Sequence, residues 1–566
     1  MDGASCPRHH GAVHRRSPSR SALPRIALGL VVALLATGLG VIPVAALGPT
    51  MGGLPRPDME PVYPPEDAGY HSYEEMVAEI RQVASDHPDI VRLSSIGETY
   101  KGRTIHLLRI SDEPDRDEGE PEVLFDALHH AREHLTPEMA LSIIHLLTDG
   151  YGTDPRITAI VDSRVIWVVP MLNPDGLAYD LRGDPYRGWR KNRQPNAAGE
   201  SIGTDLNRNY GYRWGGTGAS ADPASQVYRG AAPWSAPETR AMRDFILSRR
   251  IDGRQRIRTL ITFHTAGELI LYPYGYTYAD RPSDMTALDE RTLRTLAETM
   301  AASNGYVAQQ SSDLYLTSGG KLDWTYGRER ILGFTFELYP SGGSGIDRFY
   351  PPDELIVQET QRNHEAVLYL LEQSDCPYRV IGKEAGYCGP FFDDLEVGRG
   401  WLVDADGTDT ATGGTWQRGV PEATNLSGPK QIGAAVSGRA AMATGRKTLG
   451  CASCNDVDGG VTTVRSPSID LPASQPTWLR LRYTLAHTDS ATPEDGFRVV
   501  IVSEGTRTVV FQDLATAVDR DGKWQRLKLD LAPWDGRRVQ VQLEAFDMGA
   551  PSLVEAAVDD VRVTLP

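Results

Sequence analysis

The stretch Val123-Leu-Phe-Asp-Ala-Leu128-His-His130-Ala-Arg-Glu133-His134 joins a short apolar run to a dense group of charged and metal-capable side chains. An apolar run with little alternation is typical of a strand that is buried on both faces, as in a parallel sheet covered by helices. Ligands of open α/β sheets bind at the carboxyl ends of the strands. The stretch therefore predicts a buried strand that ends at a functional site.

Apolar runs of the same kind alternate with helical patterns over the following residues, which predicts an α/β domain with a mixed, mostly parallel sheet flanked by helices. A capping box of Ser72 and Glu75 starts the first helix, and Pro88 ends it. We place this domain at residues 66–373. The other predicted strands are Thr104–Ile110, Val165–Val169, Leu260–Phe263 and Phe334–Phe336, and two of the predicted helices are Pro137–Leu147 and Pro237–Leu247.

The spacing of His130 and Glu133 suits a metal ion, because two residues three positions apart can face one ion where the chain turns. Catalytic zinc is commonly held by two nitrogens and one carboxylate, with a fourth position left for water. His264 ends the run Leu260–Phe263 in the same way and is the predicted third ligand. A lone histidine at a strand end is more often a polar filler, and only the combination favours a metal. We expect His129 and His134 to be structural.

The sequence pattern changes near Cys376: from Gly386 onward helical periodicity disappears, and short alternating runs take over. This predicts an all-β sandwich, jelly-roll-like, at 396–566, after a linker at 374–395. Asp495-Gly496, Asp521-Gly522 and Asp535-Gly536 are predicted turns between its strands. The alternating runs are Trp478–Tyr483, Phe497–Val502, Trp524–Leu529 and Val539–Leu543.

Residues 1–25 are basic, and an apolar run follows from Ile26 to about Leu47 with small residues near its end. This pattern predicts a signal peptide at 1–46 and a secreted protein, with a linker at 47–65. A single-pass anchor is the alternative, but Gly38, Gly40 and Pro43 interrupt the run. After cleavage we expect no membrane contact.

Export would allow disulfides among Cys376, Cys388, Cys451 and Cys454. Four cysteines allow three pairings, of which Cys376–Cys388 with Cys451–Cys454 is the most local. A zinc site made of four thiolates is the competing hypothesis, and an oxidising compartment disfavours it.

The formal charge of −17, from 58 Lys and Arg against 75 Asp and Glu, argues against nucleic acid or an anionic membrane as the main partner.

Calcium is a further candidate ligand in the predicted sandwich. Asp404-Ala-Asp406-Gly and Asp456-Val-Asp458-Gly could bind it, although Asp-Gly turns without metal are at least as common. The partner of the sandwich stays unknown.

Several motifs together resemble those of the metallocarboxypeptidase family, typified by pancreatic carboxypeptidases A and B and their secreted bacterial relatives. The resemblance covers residues 66–373. The motifs are His130-Ala-Arg-Glu133, Trp189-Arg190-Lys191, Asp205-Leu-Asn207-Arg208-Asn209, Tyr315-Leu-Thr-Ser-Gly-Gly-Lys-Leu-Asp323-Trp324-Thr-Tyr326 and Phe334-Thr-Phe-Glu337-Leu338. One such motif would be weak, whereas five in register are specific.

The resemblance implies a zinc-dependent exopeptidase that acts on the C-termini of peptides and proteins. Its implied site residues are Glu337 as general base, Arg190 for the oxyanion, Asn207 and Arg208 for the terminal carboxylate, Tyr315 as a mobile cover, and Arg132 as a contact further along the substrate. Asp205 is expected to orient His130 by hydrogen bonding.

The family's specificity position corresponds to Leu322, and an aliphatic residue there implies a preference for apolar or aromatic C-terminal residues. Lys321 beside it departs from the family pattern, and could admit acidic side chains or point away. Two other functions compete with this prediction. One is a cell-wall amidase, and the other is a degenerate binding protein that has lost activity.

Overall fold

The structure is a computed structural model, and it describes residues 61–196, 201–251, 253–447, 450–473 and 475–565. The predicted signal peptide at 1–46 and most of the linker at 47–65 lie outside these ranges. Within them, no helix has both the length and the apolar character that a bilayer span requires.

The first part of the chain alternates strands and helices, as expected for an α/β domain. Its strands are β1 (Val91–Glu98), β2 (Thr104–Ile110), β3 (Glu122–Asp126), β4 (Val165–Val169), β5 (Arg250–Ile251), β6 (Arg254–Gln255), β7 (Ile257–Thr265), β8 (Leu269–Tyr272), β9 (Val307–Gln310) and β10 (Leu332–Leu338). The helices are α1 (Tyr73–Asp86), α2 (Leu135–Gly150), α3 (Pro155–Val161), α4 (Pro174–Asp180), α5 (Pro237–Ser248), α6 (Ala287–Asn304), α7 (Ser311–Leu314), α8 (Lys321–Glu329), α9 (Ile356–Gln361), α10 (His364–Gln373) and α11 (Glu384–Tyr387).

Eight of these strands form a mixed sheet in the order β1-β2-β4-β3-β7-β10-β8-β9, and β5 and β6 form a separate two-stranded sheet. Its centre, β4-β3-β7-β10, is parallel, and antiparallel pairs join β1, β2 and β8 to it. The residues of β3 and β4 are all buried, as their apolar runs predicted. Because the central strands are parallel, their carboxyl ends lie at one edge of the sheet.

The predicted start of α1 is confirmed in detail. The Ser72 hydroxyl accepts a hydrogen bond from the Glu75 N–H, and the Glu75 carboxylate accepts one from the Ser72 N–H. The two groups together satisfy backbone donors that the first turn leaves free. Met76, Ile80 and Val83 bury the inner face of the helix.

The second part of the chain contains two antiparallel sheets, as the alternating runs predicted. One has the order β13-β14-β22-β17-β20, with β11 also paired to β22, and the other has the order β12-β15-β21-β18-β19, with β16 paired to β21. The strands are β11 (Phe391–Asp393), β12 (Leu402–Val403), β13 (Trp416–Gly419), β14 (Ala441–Thr444), β15 (Gly460–Arg465), β16 (Ile469–Asp470), β17 (Trp478–His487), β18 (Asp495–Ser503), β19 (Thr506–Leu514), β20 (Gln525–Asp530), β21 (Arg538–Asp547) and β22 (Val554–Thr564).

Two expectations about this part need correction. The predicted turn at Asp495-Gly496 is wrong, because both residues begin β18 and pair with β21. The segment 374–395, expected to be a linker, contains β11, so the sheet begins before residue 396. The pairing of Phe391 with Val563 draws this segment into the sandwich.

The disulfides join Cys376 to Cys388 and Cys451 to Cys454, which confirms the local pairing. The calcium motif at Asp404 is used differently. Asp404 accepts the N–H of Thr408, and Asp406 pairs with Arg465. Within the described ranges, neither Asp-rich motif contributes to a group of three side chains close enough to share an ion.

Each part has its own buried hydrophobic cluster, one around the mixed sheet and one between the two antiparallel sheets. Both clusters nevertheless belong to a single compact unit. Arg330 at the end of α8 lies 3.6 Å from Glu396 and 4.0 Å from Asp394, so charged contacts cross from one part to the other.

Candidate active site

The predicted metal ligands meet at the carboxyl edge of the parallel strands. His264 lies near the end of β7 and pairs in register with Glu337 of β10. The neighbouring strand β3 ends at Asp126, and the chain then turns through Leu128, which has a positive φ of 60°. This turn brings His130 and Glu133 over the edge where His264 emerges.

The three side chains share one focus. His130 Nδ1 lies 2.7 Å from Glu133 Oε1, and His264 Nδ1 lies 3.0 Å from Glu133 Oε2. The two Nδ1 atoms are 3.1 Å apart, and all three side chains are buried. Burial alone would raise the pKa of Glu133, but the adjacent His130 and His264 hold this pKa below its ordinary value.

This donor set fits zinc. Two imidazole nitrogens that face each other at 3.1 Å beside a carboxylate gain a common partner when a cation lies between them. Two nitrogens and one carboxylate oxygen are the donors of many catalytic zinc sites. The residues that the sequence nominated therefore form one metal-binding group.

The two neighbouring histidines bond elsewhere. His129 Nε2 lies 2.9 Å from the Tyr210 hydroxyl. His134 Nε2 lies 3.0 Å from Asp180 Oδ2. Both rings are buried, and neither belongs to the metal-binding group.

Asp205 links His130 to Arg190. Its Oδ1 lies 3.2 Å from His130 Nε2, and its Oδ2 accepts from Arg190 Nε at 3.0 Å. Burial would raise the pKa of Asp205, but Arg190, Arg208 and His130 hold it well below the ordinary value. A carboxylate at Nε2 favours a proton there, which leaves Nδ1 of His130 free to bind a metal.

The predicted arginines take up different positions. Arg190 is buried and its Nη1 lies 4.0 Å from Glu133 Oε1, beside the metal-binding group. Arg132 stacks over Phe349, with its guanidinium carbon 4.1 Å from the ring centroid.

Glu337 is the penultimate residue of β10, lies beside His264 in register and lines the adjoining pocket. Burial raises the pKa of Glu337 to about 7; Glu133 adds to this increase, while His264 opposes it. Glu337 is thus a carboxyl group that can exchange a proton near neutral pH, next to the metal-binding group.

A pocket adjoins this group, and it contains most of the predicted substrate residues. Asn207, Arg208, Tyr315, Leu322 and Glu337 line it. Arg208 is 2% exposed, whereas Tyr315 is 48% exposed, with the Arg208 guanidinium carbon 5.9 Å from its ring centroid. The pocket therefore has a buried cation and an exposed phenol ring beside an aliphatic wall.

Lys321 does not line this pocket. Its side chain is buried and pairs with Asp126 at the end of β3. The sequence left open whether Lys321 reaches the substrate pocket or points away from it, and in the structure it points away.

Asp323 is a pocket residue that the sequence analysis did not single out. Its carboxyl group accepts hydrogen bonds from the backbone N–H groups of Gly275 and Tyr276, at 2.8 and 3.1 Å. Burial raises the pKa of Asp323 to about 7. Its position one residue after Leu322, at the first turn of α8, was the available signal.

The chain is similar to known proteins. A family model described as zinc carboxypeptidase matches residues 76–366. A zinc carboxypeptidase of Saccharothrix mutabilis subsp. capreolus is 46% identical over 321 residues, which cover 57% of this chain and 73% of the relative. Carboxypeptidase A2 of Mus musculus is 32% identical over 55% of this chain and 71% of its own length.

Carboxypeptidase B of Homo sapiens is 31% identical over 53% of this chain and 70% of its own length. Among solved structures, carboxypeptidase A from Helicoverpa armigera covers 55% of this chain and 74% of its own, at 27% identity and a TM-score of 0.47. The family model ends before the first strand of the antiparallel sheets.

Proposed function

Because this chain belongs to the zinc carboxypeptidase family, we propose that it is a secreted enzyme that removes apolar or aromatic residues from the C-termini of peptides, with Glu337 as general base. The family establishes a zinc-dependent exopeptidase with one catalytic zinc ion. The observation that carries the finer proposal is the placement of Glu337 and the Arg208 pocket directly beside the group of His130, Glu133 and His264.

His130, Glu133 and His264 would hold the zinc, which when bound supplies a Lewis acid for the scissile carbonyl and lowers the pKa of water. Glu337 removes the proton from the attacking water and later returns it to the departing amine. A pKa of about 7 suits both transfers near neutral pH. Arg190 offers its guanidinium to the negative charge that develops on the carbonyl oxygen.

The terminal carboxylate of the substrate is recognised by Asn207 and Arg208. A planar guanidinium can bind a carboxylate through two parallel hydrogen bonds. Arg208 is buried and is fixed through Nε to the Gly218 carbonyl at 2.8 Å, so little freedom is lost when the substrate binds. Tyr315 is exposed enough to move over the bound end. This recognition restricts cleavage to the last peptide bond.

The apolar preference is supported by the pocket wall. Leu322 and Leu271 line it, and the cation of Lys321 is withdrawn to Asp126. Asp323 favours a second candidate specificity, for basic C-terminal residues, when it is ionised. Burial raises the pKa of Asp323 to about 7 and so weakens its charge at neutral pH, and the two backbone N–H groups already occupy its carboxylate oxygens; both features favour the apolar choice.

Secretion is supported by the basic and apolar N-terminal segment of the sequence and by two disulfides.

The complete set of Asn207, Arg208 and Tyr315 argues against a cell-wall amidase, which does not need to bind a free peptide carboxylate. The intact ligand group and Glu337 argue against a degenerate binding protein.

The test is release of the last residue from blocked dipeptides that end in Phe, Leu, Arg or Glu, by the full protein before and after chelation. We expect release to be fastest for Phe and Leu, to stop on chelation and to return with zinc. Glu337→Gln should lose at least 10³-fold in kcat while its zinc content stays at one per chain. Glu298→Gln, at an exposed carboxylate of α6, is the matched control.

Faster release of Arg than of Phe would overturn the apolar preference and favour the Asp323 alternative. No release of any residue by the zinc-loaded protein would overturn the exopeptidase assignment for these substrates and favour the amidase.

A further inference from the structure

The sheet β13-β14-β22-β17-β20 carries a group of five cations on its outer face, and neither the active site nor the comparisons account for it. We define this group as the basic face. It consists of Arg480, Arg482, Arg526, Lys528 and Arg562, and these residues also line one shallow groove.

The pairing of the strands places the five cations in adjoining rows. Arg480 of β17 lies opposite Lys528 of β20 on one side and Arg562 of β22 on the other. Arg482 lies opposite Arg526 on one side and the buried Asp559 on the other. The alternate residues of β17, Leu479 and Leu481, are buried in the core, so the cations all point outward.

Like charges directly opposite each other destabilise a sheet. Within the described ranges, Arg480, Arg482, Arg526 and Lys528 have no ion pair with a carboxylate. Arg480 donates to the Thr564 hydroxyl at 3.1 Å, and of the five only Arg562 has an ion pair, with Asp560 at 3.0 Å.

The second sheet of the sandwich shows the opposite arrangement. There the outward arginines pair with carboxylates: Arg498 and Arg507 with Glu544, and Arg465 with Asp406. Among the described residues, four of the five cations of the basic face therefore have no ion pair, on a chain whose formal charge is −17. Asp560, the partner of Arg562, also lines the groove. Such a concentration of one charge attracts an oppositely charged ligand.

Aromatic rings hold two of the cations in place. Lys528 Nζ lies 3.8 Å from the ring centroid of Trp478, and the guanidinium carbon of Arg562 lies 4.1 Å from that of Tyr387. Cation–π contacts restrict these long side chains, which lowers the entropy that binding would remove.

We propose that the basic face binds a linear polysaccharide that carries sulfate or phosphate ester groups. Adjacent strands lie about 4.8 Å apart, and alternate residues on one strand lie about 6.8 Å apart. The cations thus cover about 10 by 7 Å, a span that suits a narrow linear chain with several charged groups. Guanidinium groups bind the tetrahedral oxyanions of such esters through paired hydrogen bonds.

The size of the face disfavours larger polyanions. The major groove of a DNA duplex alone is about 12 Å wide, so a duplex would extend beyond the cations. Asp530, opposite Trp478 at one border, would then face its phosphates. An anionic bilayer would also lie against Asp530, and its larger area would contact further parts of this negatively charged chain. Binding would hold the enzyme on an acidic matrix through a surface separate from the peptide pocket.

The test uses the full protein and heparin as the probe, with binding measured by biolayer interferometry at increasing salt. We expect saturable binding that weakens steeply with salt, because bound counterions are released. R480Q/R526Q/K528Q should weaken binding at least tenfold, with unchanged hydrolysis of a blocked dipeptide. R439Q/K447Q/R537Q removes the same charges from exposed positions elsewhere in the sandwich and should retain binding.

Three further probes decide the occupant, namely desulfated heparin, duplex DNA and phosphatidylglycerol vesicles. Loss of binding on desulfation supports the proposal. Absence of heparin binding, or an equal loss in both triple variants, would overturn the basic face as the site. Tighter binding of duplex DNA or vesicles than of heparin would overturn the polysaccharide as its occupant.

Discussion

Lys321 shows how one residue beside a substrate pocket can be structural. Its neighbour Leu322 lines the pocket, whereas Lys321 is buried against Asp126. Asp126 also accepts a hydrogen bond from the Thr262 hydroxyl at 2.8 Å. The ion pair therefore ties the start of α8 to β3 and β7.

Lys321→Met should lower stability and leave specificity unchanged. Removing one partner of a buried ion pair leaves the other charge unpaired and costs about 3–5 kcal/mol. We expect urea unfolding of the variant at a clearly lower midpoint, with the same ratio of Phe to Glu release. A changed Phe to Glu ratio with unchanged stability would show that the lysine reaches the pocket.

Asp205→Asn should weaken zinc binding by about 10- to 100-fold, because the carboxylate that orients His130 is lost. A fluorescent chelator in competition for zinc gives the affinity independently of activity. Asp489→Asn, at an exposed carboxylate of the sandwich, is the matched control. If Asp205→Asn and the control bind zinc equally well, the contact does not orient the ligand.

Residues of the site differ in how far the sequence could predict them. His130, Glu133 and His264 each follow an apolar run, so local pattern was enough to nominate them as ligands. The direction of Lys321 depends on Asp126, which lies 195 positions earlier in the chain. No local pattern contains that contact. The sequence did not identify Asp323 as a pocket residue, because its two hydrogen-bond partners are backbone groups of a distant loop.

Among the elements, buried central strands were predicted well and peripheral strands poorly. β2 and β4 match their predicted bounds, while β1, β8 and β9 were not predicted. β1 is partly exposed and alternates only weakly, so its sequence lacks a clear period. Gly496 has a φ of 152° inside β18, which a strand accepts at glycine, although Asp-Gly is typical of turns.

The strand β22 carries buried carboxyl groups at the centre of its sheet. Burial raises the pKa of Glu555 well above its ordinary value, and Asp456 adds to this increase. Burial also raises the pKa of Asp559 to about 8, with Asp560 as the next cause. Both groups keep their protons in the folded state at pH values where the unfolded chain has released them.

Because of these two carboxyl groups, the free energy of unfolding of the protein should decrease as the pH rises. Since the folded pKa is the higher one, stability is greatest below the unfolded pKa of about 4 and falls as the pH increases toward the folded value, by at most about 1.4 kcal/mol per pH unit for each group. Glu555→Gln cannot ionise and should show a flatter fall of the urea midpoint between pH 5 and 8. Parallel curves for the two proteins would contradict a raised pKa.

At the scale of the molecule, the change from helical to alternating periodicity near Cys376 predicted that a sandwich follows the α/β part. Composition and periodicity report such a change because each part buries its own hydrophobic cluster. The contacts between the parts were not predicted, because they join side chains such as Arg330 and Glu396 that carry no local signal.

Arg330 connects the two parts of the compact unit. Its guanidinium lies 3.6 Å from Glu396 and 4.0 Å from Asp394, both at the start of the sandwich, and donates to the Asp284 carbonyl at 2.9 Å. The three side chains in these ion contacts are at most 6% exposed. Water therefore cannot replace a lost partner.

Arg330→Met should uncouple the two parts. Two carboxylates would be left buried without their cation, at a cost on the order of 3 kcal/mol. Since this cost falls on the contact between the parts, we expect calorimetry to show two separate unfolding transitions where the unchanged protein shows one. Arg328→Met, at an exposed position of the same helix, should keep a single transition. A single transition at an unchanged temperature for Arg330→Met would mean that apolar contacts alone hold the parts together.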